Sequence, residues 1–104
     1  VDRQNHRLQV FDAQGALLEV WPGFHQPMDI CVDREGPLYV AEAAERISIL
    51  SMNGALLSQW GGPGQAPGQF GSFLHGICVD SRGDLYVADE SRLQKFERVR
   101  VASR

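Results

Sequence analysis

Apolar residues along this chain come in short runs of about four or five, and Gly, Asn or Asp separates one run from the next. The runs are rich in Ile, Val, Leu, Tyr and Trp, which favour β-strands. The intervening glycines suit hairpin turns, because such turns need a positive φ at one position. No stretch keeps the period of an amphipathic helix. The pattern predicts an all-β protein with strands at Arg7–Phe11, Leu17–Trp21, Asp29–Val32, Leu38–Ala41, Arg46–Leu50, Leu56–Trp60, Ile77–Val79, Leu85–Ala88 and Leu93–Phe96.

Two patterns in this sequence repeat. The segment Asp29–Glu42 matches Gly76–Asp89 at an offset of 47 residues, with nine of 14 positions identical. The segment Arg7–Trp21 matches Arg46–Trp60 at an offset of 39 residues, and Arg92–Phe96 begins the same pattern again. Four antiparallel strands repeated every 40 to 47 residues are typical of the blades of a β-propeller.

The chain holds about two and a half such blades. Residues 1–24 supply a half blade made of third and fourth strands, residues 25–73 a complete blade plus a connector, and residues 74–104 an incomplete blade and a tail. Closed propellers have about four to eight blades. Two alternatives therefore stay open: the chain is a fragment of a longer propeller, or several copies assemble. Three copies would form a six-bladed homotrimer in which the third strand is supplied twice.

The segment Asn5-His6-Arg7-Leu8-Gln9-Val10-Phe11-Asp12 resembles the signature of the NHL-repeat family. Repeat length and strand pattern agree with this family from Asp2 to about Arg98. The resemblance implies a six-bladed propeller that serves as a non-enzymatic binding or scaffold module. Its partner would be a protein or a small ligand at the loop rim. The later copies depart from the signature: the second has Ala44-Glu45-Arg46, and the third keeps only Ser91-Arg92.

An acidic residue follows the second strand of each copy, and an arginine starts the third strand. Because they recur in every copy, we interpret them as structural pairs that brace the turn between the strands. A site for chemistry would more commonly occur in one copy only. The three predicted pairs are Asp2 with Arg7, Glu42 with Arg46, and Asp89 with Arg92.

The connectors between blades differ most among the copies, and loops on one rim of a repeat array are the usual binding surface. The long connector, residues 61–73, has five glycines but no Lys-Ser/Thr ending and no following helix, which excludes a P-loop. We expect it to cross between blades with its Phe70 inserted between them. The predicted binding-loop residues are Met28, Gln69, Phe70 and His75.

His75 is the candidate metal ligand, provided that copies assemble around the propeller axis. The segment Leu74-His75-Gly76-Ile77 resembles a metal-binding segment of the peptidyl-α-hydroxyglycine α-amidating lyases. Those propellers hold zinc with three histidines from separate blades, and this resemblance implies a metal-dependent lyase as the alternative function. The other histidines, His6 and His25, do not match the lyase position. We therefore expect no cofactor and no catalytic residue within one chain, with zinc or calcium as the alternative.

The formal net charge of −3 disfavours broad binding to nucleic acid, and no apolar run is long enough to span a membrane. RNA binding through a basic face remains a further alternative because the tail Arg98–Arg104 holds three arginines. Cys31 and Cys78 occupy equivalent places in successive repeats. We expect both to be buried thiols rather than a disulfide, since equivalent positions face the same way and not each other.

Overall fold

The computed structural model describes residues 1–43, 45–71 and 74–98. They form nine β-strands and one short 3₁₀ helix, Arg3–Asn5. The strands make three antiparallel sheets of two, four and three strands, which confirms the all-β class and the predicted four-stranded blade. The bounds are β1 Leu8–Phe11, β2 Leu17–Trp21, β3 Pro27–Val32, β4 Leu38–Glu42, β5 Arg46–Leu50, β6 Leu56–Gly61, β7 Gly76–Val79, β8 Leu85–Ala88 and β9 Leu93–Phe96.

The second sheet, β3-β4-β5-β6, is complete, and each strand pairs with its neighbour in the sequence. All five residues of β4 are buried, as expected for a strand that is covered on both faces. Successive side chains of a strand point to opposite faces of the sheet. Tyr39 and Ala41 therefore belong to one core, and Leu38 and Val40 to another.

The two cores lie on opposite faces of the second sheet. One joins it to the third sheet, β7-β8-β9, through residues such as Ile47, Ile77 and Val87. The other joins it to the first sheet, β1-β2, through Leu8 and Leu50. Face-to-face packing of neighbouring sheets is the arrangement of propeller blades.

Small differences from the sequence prediction concern strand ends. The strand β3 begins at Pro27, two residues before the predicted Asp29, and its register with β4 shifts between these residues. The strands β4 and β6 each extend one residue further than predicted, to Glu42 and Gly61.

The two cysteines are free, but their surroundings differ from the prediction. Cys31 is half-buried against the core between the second and third sheets. Cys78 is exposed, so the expectation that both thiols are buried was wrong. The reason is that Ile77 and Val79 face the second sheet, which turns Cys78 toward the opposite face of β7.

Candidate functional site

The carboxylate of Glu42 joins three parts of the second blade. It is fully buried, and its Oε1 accepts the backbone N–H of His25 at 2.7 Å. The Arg46 guanidinium donates to both carboxylate oxygens, at 3.0 and 2.9 Å, and the Ser48 hydroxyl also donates to Oε2. The hydrogen bond to Glu42 raises the pKa of Arg46. Because His25 lies in the incoming connector, Glu42 fixes that connector as well as the turn between β4 and β5.

In the third blade, Asp89 likewise fixes the incoming connector and the turn between β8 and β9, but it accepts hydrogen bonds from different donors. It accepts the backbone N–H of Gly71, from the long connector, at 2.7 Å. It also accepts the N–H groups of Ser91 and Arg92 at 2.8 and 2.9 Å. These bonds, with that of Gly71 first, lower the pKa of Asp89 to about 2.

The third predicted acid–arginine pair therefore takes another geometry. The Arg92 guanidinium donates to the carbonyl oxygens of Ala66 and Gln69, at 3.1 and 2.8 Å. In the first sheet, Asp2 and Arg7 form an ion pair between Oδ2 and Nε at 2.7 Å. The hydrogen bond from Arg7 lowers the pKa of Asp2.

The predicted binding-loop residues are placed differently from one another. Phe70 is fully buried, and its ring packs beside Trp60 and Phe96, with centroid distances of 6.0 and 6.1 Å. Its side chain therefore belongs to the core. The backbone of Gln69 is held in place by its carbonyl oxygen, which accepts hydrogen bonds from the side chains of Arg92 and Gln94, both at 2.8 Å.

Met28 and His75 lie near the starts of β3 and β7, the equivalent strands of two blades. The Met28 sulfur lies 3.7 Å from an Arg3 guanidinium nitrogen. The His75 side chain is 58% exposed, and its Nε2 lies 3.9 Å from Glu90 Oε1. In the described part of the chain, His, Cys, Asp and Glu side chains do not form a group of three or more that could hold a metal ion.

Two contacts between blades involve residues that the sequence did not single out for this purpose. Asp29 Oδ2 accepts the N–H of Ile77 at 3.0 Å, from one innermost strand to the next. Arg98 Nη1 donates to the buried carboxylate of Asp33 at 3.1 Å. The repeat could have indicated the first contact, because Asp29 aligns with Gly76 at a position where the two copies differ.

The far side of the third sheet, which we name the outer face, carries residues equivalent to a buried face of the second sheet. In the second sheet, Cys31 pairs with Tyr39 and Ala41 with Ile47, and all four pack in the core against the third sheet. In the third sheet the same registered pairs form the outer face: Cys78 with Tyr86 and Ala88 with Leu93.

The outer face is open to solvent on its two edge strands, β7 and β9. Leu93 is 66% exposed, and Cys78 is exposed as well. Lys95 stands where the second sheet has Ile49, and its Nζ lies 5.6 Å from the centre of the Tyr86 ring. The first sheet exposes a comparable face at the other end of the array, formed by Phe11, Leu17 and Val20.

Comparison with protein families agrees with this geometry. The family model of the NHL repeat matches residues 72–96, which include the whole of the third sheet. The chain contains an NHL repeat. Its strands β7, β8 and β9 are the part of that NHL repeat that the structure describes as a sheet.

A solved structure with a similar fold is the hydrazine synthase of Kuenenia stuttgartiensis. The TM-score is 0.68 and the sequence identity 21%, so the likeness concerns the fold. It covers 84% of this chain but only 24% of that one, so this chain spans about a quarter of the length of the protein it matches. The curated proteins contain no match to the chain.

Proposed function

We propose that the chain is a non-enzymatic binding and scaffold module whose open sheet faces bind further blades, supplied by other copies of the same chain. The observation that supports this proposal is the outer face of the third sheet. It carries two apolar pairs equivalent to those by which the second sheet packs on its neighbour, Cys78 with Tyr86 and Ala88 with Leu93, whereas Lys95 replaces Ile49. A face built to be buried in one copy would gain the same apolar burial in another.

The number of strands in the described ranges determines how many chains the proposed assembly needs. Within those ranges, the first sheet lacks an inner pair of strands, and the third lacks an outer strand. If the open ends of neighbouring chains join, three chains form a six-bladed ring. One copy of the third strand, β1 or β9, would then have to leave the blade at each joint. The ring would have three times the chain mass of 11.5 kDa, about 35 kDa.

The loop rim is the proposed binding surface of this module for a protein or a small ligand. The connectors that form it differ in length and sequence, whereas the strands repeat. Among the described residues, no helix has the length and apolar character needed to cross a bilayer. The rim residues Gln69 and His75 are polar and exposed, whereas Phe70 is buried.

The mass in solution, measured by light scattering after size exclusion, tests the assembly. We expect a trimer for the 104-residue chain and a shift toward monomer for Leu93→Lys, which places a charge on the outer face. Leu57→Lys is the control, because Leu57 is 59% exposed on β6, away from the open faces. A wild-type monomer at high micromolar concentration would contradict self-assembly and favour a fragment of a longer propeller.

Metal analysis separates this proposal from the lyase alternative. That alternative needs bound zinc or calcium and, in a ring, three copies of His75 around the axis. RNA binding, the further alternative, predicts an association that weakens steeply with salt. Of the tail that suggested RNA binding, residues 99–104 lie outside the described residues.

A further inference from the structure

A polar cavity of about 310 Å³ lies between the first hairpin turns of the second and third sheets. The turn between β3 and β4 and the turn between β7 and β8 adjoin because β3 packs beside β7. Arg98, which follows β9, completes the lining. The volume lies at the lower end of the range for small-molecule sites.

Three arginines line this cavity: Arg34, Arg82 and Arg98. The buried carboxylate of the cavity, that of Asp33, already has hydrogen-bond partners. Its Oδ1 accepts the Glu35 N–H and its Oδ2 accepts from Arg98 Nη1, both at 3.1 Å. The Glu35 carboxylate lies 3.9 Å from the same Arg98 nitrogen. The positive charge of Arg98 is therefore used to balance the two carboxylates of the cavity.

The other two arginines leave positive charge for a ligand. Within the described ranges, the ion pairs involve Arg7, Arg46, His75, Lys95 and Arg98, and neither Arg34 nor Arg82. The two lie in corresponding turns of adjacent blades but at different positions of the repeat, since Arg34 matches Ser81 and Arg82 matches Glu35. The repeat therefore does not require them, and their convergence on one cavity is specific to this pair of blades.

We propose that this cavity binds a small ligand through an oxyanion, with Arg34 and Arg82 as the charged donors and the Ser81 hydroxyl as a neutral donor. Guanidinium groups suit phosphate and carboxylate because their N–H groups form charge-assisted bonds with matching geometry. The chain as a whole carries a net charge of −3, so general attraction for anions does not explain such binding. A phosphate and a carboxylate share this chemistry.

Amide NMR spectra of the full 104-residue chain test the proposal. The probes are inorganic phosphate and succinate, each compared with sodium chloride at equal ionic strength. We expect one of the two anions to shift the amide resonances of residues 33–36 and 80–83. Binding of phosphate alone assigns a phosphate ligand, and binding of succinate assigns a carboxylate ligand. No shift beyond that of chloride with either anion overturns the proposal.

Substitutions locate the donors. We expect Arg82→Gln and Arg34→Gln each to weaken anion binding about tenfold, the scale of one hydrogen bond to a charged group. The matched control is Arg3→Gln, since Arg3 is exposed and contacts Met28 near the opposite end of β3, about 16 Å from the turn. If Arg3→Gln weakened anion binding equally, the effect would come from general surface charge, and the proposed site would be wrong.

Discussion

The indole of Trp21 lies directly against Gly54, across the boundary between the first and second sheets. A Cβ atom at Gly54 would stand 2.6 Å from Cε2 of that ring. Gly54 also has φ of 90°, a conformation that other residues adopt at a cost. The glycine of this hairpin turn thus serves both the turn and the contact between blades.

We expect Gly54→Ala to destabilise the chain more than Gly15→Ala. Gly15 occupies the equivalent turn of the first sheet, with φ of 88°, and a Cβ atom added there would meet no atom within 4 Å. Both substitutions incur a backbone cost of about 1–2 kcal/mol, and Gly54→Ala adds about 2 kcal/mol of overpacking. Urea unfolding of the two variants measures the difference, and equal losses would show that the Trp21 contact adjusts freely.

Substitution of the buried Glu42 should cost more stability than substitution of its partly exposed counterpart Asp2. Glu42→Gln keeps the size of the side chain but removes the charge that faces Arg46 and one of two acceptor oxygens. We expect a loss of about 2 kcal/mol in unfolding free energy. Asp2→Asn is the control because its ion pair with Arg7 is half-exposed. Losses of the same size at both positions would contradict a special role for burial.

The repeat allowed the strands and sheets to be predicted because each blade uses the same apolar pattern and the same turns. Phe70 could be placed between blades since an aromatic residue in a glycine-rich connector has few other apolar surroundings. The ion pair of Arg98 with Asp33 could not be predicted, because the partners come from different copies, 65 residues apart. The exposure of Cys78 also escaped prediction, since an identical triplet surrounds the half-buried Cys31.

Acid should weaken the third blade through Asp89. Its pKa of about 2 in the folded chain lies below the ordinary aspartate value of 3.8, so folding favours the carboxylate. This stabilisation is complete above about pH 4 and is lost as the pH falls from about 4 to about 2. We expect the pH slope of unfolding free energy in that window to shrink in Asp89→Asn. The Gly71 amide resonance should report the same titration, and a midpoint near pH 4 would contradict the shift.

Metal analysis of the purified chain should find no zinc or calcium bound in stoichiometric amounts after exposure to either ion. The physical reason is that zinc sites need at least three protein ligands, and the described residues offer no such group within one chain. The ring hypothesis adds a sharper condition, because three copies of His75 could supply the ligands together. One zinc per trimer that disappears in His75→Ala would contradict the non-enzymatic proposal and favour the lyase alternative.

The exposed thiol of Cys78 offers a direct probe of the outer face. Burial raises the pKa of Cys31 to about 12, so about one in ten thousand of its thiols is ionised at pH 8. Iodoacetamide should therefore modify Cys78 first. If the outer face is covered in the assembly, Cys78 should react more slowly as protein concentration rises, because the bound copy excludes the reagent.

The control for this labelling is the Leu93→Lys variant. Its charge lies on the outer face with Cys78, so it should keep Cys78 reactive at every concentration. A Cys78 rate that is independent of concentration in the wild-type chain would mean that the outer face stays open. Protection in both chains would place the contact between copies elsewhere than at Leu93. Protection of the wild type alone identifies the outer face as the surface that binds another blade.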